Sequence, residues 1–160
     1  MNQINYRPIG IVHSSHSDLA GMPIQPAAAG GCKGTVEIFP EFTDGLKDIE
    51  GFSRIILITH LHQSQGALLQ AKPFLDKAPH GVFASRYPRR PNPIGLSPVL
   101  LLGRNGNILE IENVDLLDGT PVLDIKPYVP AFDAYPNEKP GWFAGKTDNI
   151  ASARSDARFK

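Results

Sequence analysis

Residues 85 to 95 read Ser-Arg-Tyr-Pro-Arg-Arg-Pro-Asn-Pro-Ile-Gly, which sets three guanidinium groups, a carboxamide and three prolines in one short run. Arginines are planar, bidentate donors suited to a carboxylate or a phosphate. Prolines lack the amide that a helix or sheet ladder needs, and each pushes its predecessor into extended geometry. Tyr87, Arg90, Asn92 and Ser97 all stand in that preceding position. Asn92 lies between two prolines, so its backbone has little freedom left to lose when the side chain meets a ligand. An ordinary surface loop pairs its arginines with nearby carboxylates and needs no such density of restraint. The stretch reads as a stiff binding loop.

Two further groupings carry chemistry. The run Asp115-Leu116-Leu117-Asp118-Gly119 contains an Asp-Gly turn, and in the strand that follows it Asp124 and Lys126 share a face. An aspartate followed by Asp-x-Lys resembles a metal-dependent nuclease centre, with Asp118 and Asp124 on a divalent ion and Lys126 helping to activate water. The same spacing equally suits a structural ion pair on a barrel rim. His60 and His62 also share a strand face, yet no third ligand follows at a diagnostic spacing, so no metal centre is predicted. His62 and Gln63 at a strand end are better suited to hydrogen-bonding a heteroaromatic ligand.

Several classes are excluded. There is no Gly-x-Gly-x-x-Gly turn, P-loop or Gly-x-Ser-x-Gly elbow, which disfavours a Rossmann-type cofactor domain and a serine hydrolase. Sixteen basic residues balance sixteen acidic ones, so any grip on nucleic acid must come from a local basic patch. Arg89, Arg90 and Lys126 are the candidates. The single cysteine, Cys32, suits a reducing compartment. No apolar run is long enough to span a membrane, and no export signal opens the chain. The expected location is the cytoplasm.

Fifteen glycines and fifteen prolines in 160 residues favour a turn-rich β protein over a helical bundle. Strands are predicted over 6–14, 33–39, 53–62 and 120–130, with a hairpin over 96–114 around Asn105-Gly106. A long loop is expected at 20–32, a helical turn over 40–52 and a short helix over 65–72. The fold class is mainly β, a small single-sheeted barrel with short helices and long loops. Residues 1–135 form the barrel domain. Residues 136–160 form a polar extension that either frays or docks through Trp142-Phe143 on the barrel or a partner subunit.

The segments Val82–Ser97 ("VFASRYPRRPNPIGLS"), Leu116–Pro130 ("LLDGTPVLDIKPYVP") and Pro8–Ser14 ("PIGIVHS") closely resemble the TsaA-like family. Its characterised members are TrmO-type tRNA N6-adenosine methyltransferases, and the likeness runs from about Tyr6 to Pro130. The resemblance implies a single-sheeted barrel, a homodimer and S-adenosylmethionine bound without a Rossmann fold. The implied reaction methylates N6 of N6-threonylcarbamoyladenosine at position 37, in the anticodon loop of tRNA. By the same resemblance the cofactor is held by Pro23, Ile24 and Gln25, by His62 and Gln63, by Arg86, by Leu96, and by Asp115, Leu116, Leu117 and Asp118. Family members often have arginine where this chain has Ile24. Arg89, Arg90, Asn92 and Lys126 are the expected substrate contacts. Asp124, Lys126 and Tyr128 are the candidates for acid–base assistance.

Overall fold

The structure is a computed structural model that describes residues 3–18, 29–73 and 75–146. Its strands are β1 (Gly10–Ser14), β2 (Lys33–Ile38), β3 (Arg54–His60), β4 (Gln70–Ala71), β5 (His80–Gly81), β6 (Ile94–Asn105), β7 (Ile108–Glu112) and β8 (Thr120–Pro127). Alternation fixes their facing. In β3, Ile55, Leu57 and Thr59 are fully buried, while the residues between them keep solvent contact. Six strands, all antiparallel to their neighbours, close a barrel in the order β1-β2-β7-β6-β3-β8. Closure leaves no open sheet edge, and Val12, Val36, Leu57, Val99, Leu109 and Val122 fill the interior.

The β6–β7 hairpin turns one residue later than the sequence suggests. Asn105 pairs with Ile108, so Gly106 and Asn107 form the loop. Gly106 alone takes a positive φ (+61°), the pattern of a turn with glycine first rather than an Asn-Gly turn. The Asn107 amide then donates to Ile38 O at 2.7 Å, tying the turn to β2. Pro98 is tolerated inside β6 because β7 pairs only from Leu100 onward, leaving one side of the strand unpaired there.

The predicted helical turn over 40–52 is two 3-10 turns, Pro40–Leu46 and Ile49–Gly51, and Leu46 joins the barrel core. The helix expected over 65–72 is absent. Gly66 has a φ of +66°, and the chain runs on to pair β4 with β5. Ala71, Val82 and Tyr87, with Leu68 against them, make a second small core in this lobe. The sole α-helix among the described residues, α1 (Pro130–Asp133), follows β8. Trp142 then docks on the lobe through its indole, which donates to Ala84 O at 2.7 Å and stacks on His80. Most of the loop expected at 20–32, and the end of the extension beyond 146, lie outside the described residues.

Candidate functional site

The lobe is pinned against the end of β3. Leu61 N donates to Pro93 O, Ser64 Oγ to Pro88 O at 2.9 Å, and Arg89 Nε to Gln65 O at 2.9 Å. These bonds draw His62 and Gln63 alongside the arginine–proline loop. His62 is solvent-accessible, yet partial burial, with the neighbouring His60 second, lowers its pKa. Its ring is therefore neutral over more of the pH range, which suits hydrogen bonding to an uncharged ring.

Arg90 holds the loop from within. Its Nη1 donates to the carbonyls of Ser85 (2.7 Å), Val82 (3.0 Å) and Tyr87 (3.3 Å). A guanidinium spent on three carbonyls stiffens a segment that has no ladder of its own. Arg86 is not on a strand. It follows the 3-10 turn Val82–Ala84, in an extended stretch beginning at Ser85, and is exposed. Asn92 is also exposed, and its carbonyl accepts from Ile94 N at 2.8 Å.

The other half of the site is the connection from β7 to β8. Ser97 faces inward on β6 and donates its hydroxyl to Asp115 Oδ1 at 2.7 Å. Dense packing around the Asp115 carboxyl pushes its pKa up to about 6, against opposing pulls from the Ser97 hydroxyl, its own backbone amide and the Arg86 guanidinium. Arg86, Ser97 and Asp115 thus share one end of the barrel. Leu96 is half-exposed on the outer face beside them, whereas Leu116 and Leu117 are buried and offer a ligand backbone only. Leu116 O already accepts from Ser14 Oγ, and Leu117 O from Thr120 Oγ1. Asp118 accepts from Ser14 N and faces His13 Nδ1 at 3.6 Å.

The third element is β8. Lys126 and Asp124 form an exposed ion pair at 2.8 Å, and Tyr128 N donates to Arg54 O. Asp118 and Asp124 therefore have separate partners, and among the described residues no group of three or more His, Cys, Asp and Glu is arranged to hold a metal. Pro23, Ile24 and Gln25 lie outside the described residues.

Two inward-facing groups were not singled out from sequence. Thr59 Oγ1 is fully buried with no hydrogen-bond partner among the described residues. Gly95 lies opposite it, where a Cβ would come within 2.5 Å of that oxygen. Ser97 is the other. A serine in phase with the apolar, inward Val99 is a readable signal that the barrel end is polar.

Comparison with known proteins follows the same lines. The tRNA-methyltransferase O N-terminal domain model matches residues 11–134. A probable S-adenosyl-L-methionine-binding protein of Pyrococcus abyssi is 54% identical over 98% of this chain and 85% of its own length. The tRNA (adenine(37)-N6)-methyltransferase of Escherichia coli is 31% identical over 86% of this chain and 63% of its own length. The crystal structure of TrmO from Pseudomonas aeruginosa superposes with a TM-score of 0.74 at 37% identity, covering 88% of this chain and 63% of that one. The chain thus spans under two thirds of these two bacterial proteins. With nearly the whole barrel matched, this chain belongs to the TrmO N-terminal domain family.

Proposed function

We propose that this chain is a cytoplasmic, homodimeric methyltransferase that uses S-adenosylmethionine to methylate N6 of N6-threonylcarbamoyladenosine at position 37 of tRNA. The observation that carries this reading is the convergence of Arg86, Ser97 and Asp115 at one barrel end, the first two inside one family motif and Asp115 immediately before another.

The residues there fit the cofactor. Arg86 offers a cation to its carboxylate, and Asp115 and Asp118 offer acceptors to its hydroxyls or ammonium. His62 and Gln63 suit the adenine edge, and the buried Thr59 hydroxyl has no hydrogen-bond partner among the described residues. When bound, the cofactor supplies an electrophilic methyl group. The chain's own contribution is alignment, and the bracing of the arginine–proline loop by Arg90 fixes the backbone that carries Arg86, Arg89 and Asn92. The target nitrogen sheds a proton, for which Asp124 is the carboxylate acceptor among Asp124, Lys126 and Tyr128. Arg89 and Lys126 are the cations this reading assigns to the threonylcarbamoyl carboxylate.

The homodimer is supported by an apolar outer face. Ile56 pairs with Pro98 and Ile58 with Leu96, and these side chains line up on the outside of β3 and β6. Light scattering on the unmutated chain is expected to give twice the monomer mass, and Ile58→Glu to give the monomer. We further assign residues 136–160 to an extension that docks on the barrel domain through Trp142.

Methyl transfer from labelled cofactor, measured on tRNA from cells able and unable to make the threonylcarbamoyl group, tests the activity. Labelling is expected only on the modified tRNA. Comparable labelling of both overturns the recognition of that carboxylate, and labelling of neither overturns the methyltransferase reading.

A further inference from the structure

We propose that Phe83 is a stacking platform for an unpaired base of the RNA, presented by the basic lobe of residues 65–92. The inference rests on the tRNA reading above and adds to it a contact outside the cofactor site.

Phe83 is 78% exposed, and no large hydrophobic side chain among the described residues is more so. An exposed phenyl ring on a floppy loop would mean little. Here both neighbours are held. Val82 N donates to Leu69 O at 2.9 Å, and Val82 O accepts from Arg90 Nη1 and from Ser85 Oγ at 3.1 Å. On the other side Ala84 O accepts from the Trp142 indole, which arrives from 58 residues further along the chain. Trp142 itself stacks with His80 and with Phe143, whose ring centroids are 4.3 and 3.8 Å away. The ring therefore points into solvent from a fixed turn, so ordering it on binding costs little entropy.

The charge around it selects the partner. The whole chain is neutral, yet residues 65–92 carry Lys72, Lys77, Arg86, Arg89 and Arg90 against a single acidic residue, Asp76. Lys146 and His80 both contact Asp76 and hold its carboxyl well below the usual range, Lys146 contributing most. The one anion of the lobe is thus covered, and the Arg90 guanidinium lies 6.0 Å from the Phe83 ring centroid. An exposed aromatic ring on a net-positive lobe, with one guanidinium over it, matches single-stranded nucleic acid, whose bases stack while its phosphates meet cationic side chains. A second copy of this chain meeting the ring with its own lobe would set like charges against each other.

The test uses the full chain with Phe83→Ala and Phe83→Trp, probed with an anticodon stem-loop RNA that carries N6-threonylcarbamoyladenosine at position 37. Phe83→Ala is expected to weaken RNA binding about tenfold, as base–aromatic stacking allows, and to leave S-adenosylmethionine affinity unchanged. Phe83→Trp is expected to restore binding, and its added indole emission to be quenched as RNA is titrated in, beyond any change from Trp142 in the unmutated chain. Unaltered RNA affinity in Phe83→Ala overturns the platform alone. A loss of dimer mass in Phe83→Ala at unchanged RNA affinity overturns it in favour of a subunit contact. Failure of the unmutated chain to bind the RNA at all overturns this inference together with the tRNA reading.

Discussion

The barrel and the 65–92 lobe are built by different means, although they share one boundary. The barrel is a closed ladder of main-chain hydrogen bonds around aliphatic side chains, so no single polar contact decides its shape. Among its described residues the lobe has one pair of two-residue strands and an apolar core of three buried side chains. Side-chain donors on backbone carbonyls hold most of the rest, chiefly Arg90, Ser64, Arg89 and Trp142. A ladder distributes its stability over many equivalent bonds, whereas a braced loop concentrates it in a few. The candidate contacts Arg86, Arg89 and Asn92 stand on the second kind of structure, where a single substitution can displace a side chain without unfolding the protein.

That contrast is sharpest for a core truncation set against a brace truncation. Leu57 is fully buried at the centre of β3, opposite Ser97 and Ile125. Leu57→Ala is expected to lower global stability by about 2–5 kcal/mol through lost burial and the cavity left behind. Urea unfolding followed by far-ultraviolet circular dichroism measures it. A loss under about 1 kcal/mol would show that the barrel interior collapses onto the gap and is less rigid than its ladder implies.

Arg90→Ala is expected to act locally and with smaller effect. Three carbonyls lose a charged donor, and such bonds are worth about 1.5–3 kcal/mol where they are buried and unreplaced. Val82 is buried, but the turn as a whole is open to water, so the global loss should sit near or below the lower end. Amide exchange should quicken over 82–90 and stay unchanged in β1, β2 and β7. Uniform quickening across the barrel would mean that the two regions unfold as one unit, and the comparison would fail.

The same contrast explains what could be read from sequence. Alternation in "RIILITH" is a local property of seven consecutive residues, and it gives the strand and its inward face directly. The 65–72 segment has Ala, Leu and Gln in a spacing that favours a helix, and only pairing with His80–Gly81 overrides that preference. Nothing near Ala84 announces that Trp142 will cover it. The arginine–proline loop was conspicuous by composition, but composition does not say that Arg90 turns inward while Arg86 stays exposed. Ser97 could have been found, since its place in the strand period makes it a buried hydroxyl that needs an acceptor.

Asp115 lies on the seam between the two regions and gives the smallest expected effect. Its pKa is raised from 3.8 to about 6, chiefly by burial. The folded state thus holds a proton that the unfolded chain releases between these values. The carboxyl's contribution to stability is then full below about pH 4 and declines as pH rises through about 6. That difference sets an upper bound of about 3 kcal/mol. Asp115→Asn removes the titration, keeps an acceptor for Ser97 and forfeits the attraction to Arg86, so a net stabilisation of about 1 kcal/mol is expected at pH 7.5. The gain should shrink towards zero as pH falls to 4, and S-adenosylmethionine affinity should drop in the same variant. Paired urea titrations at the two pH values, with calorimetry at the higher one, decide it. Destabilisation at pH 7.5 would mean that the attraction to Arg86 outweighs the burial of the charge, and that the seam is held by electrostatics rather than strained by it.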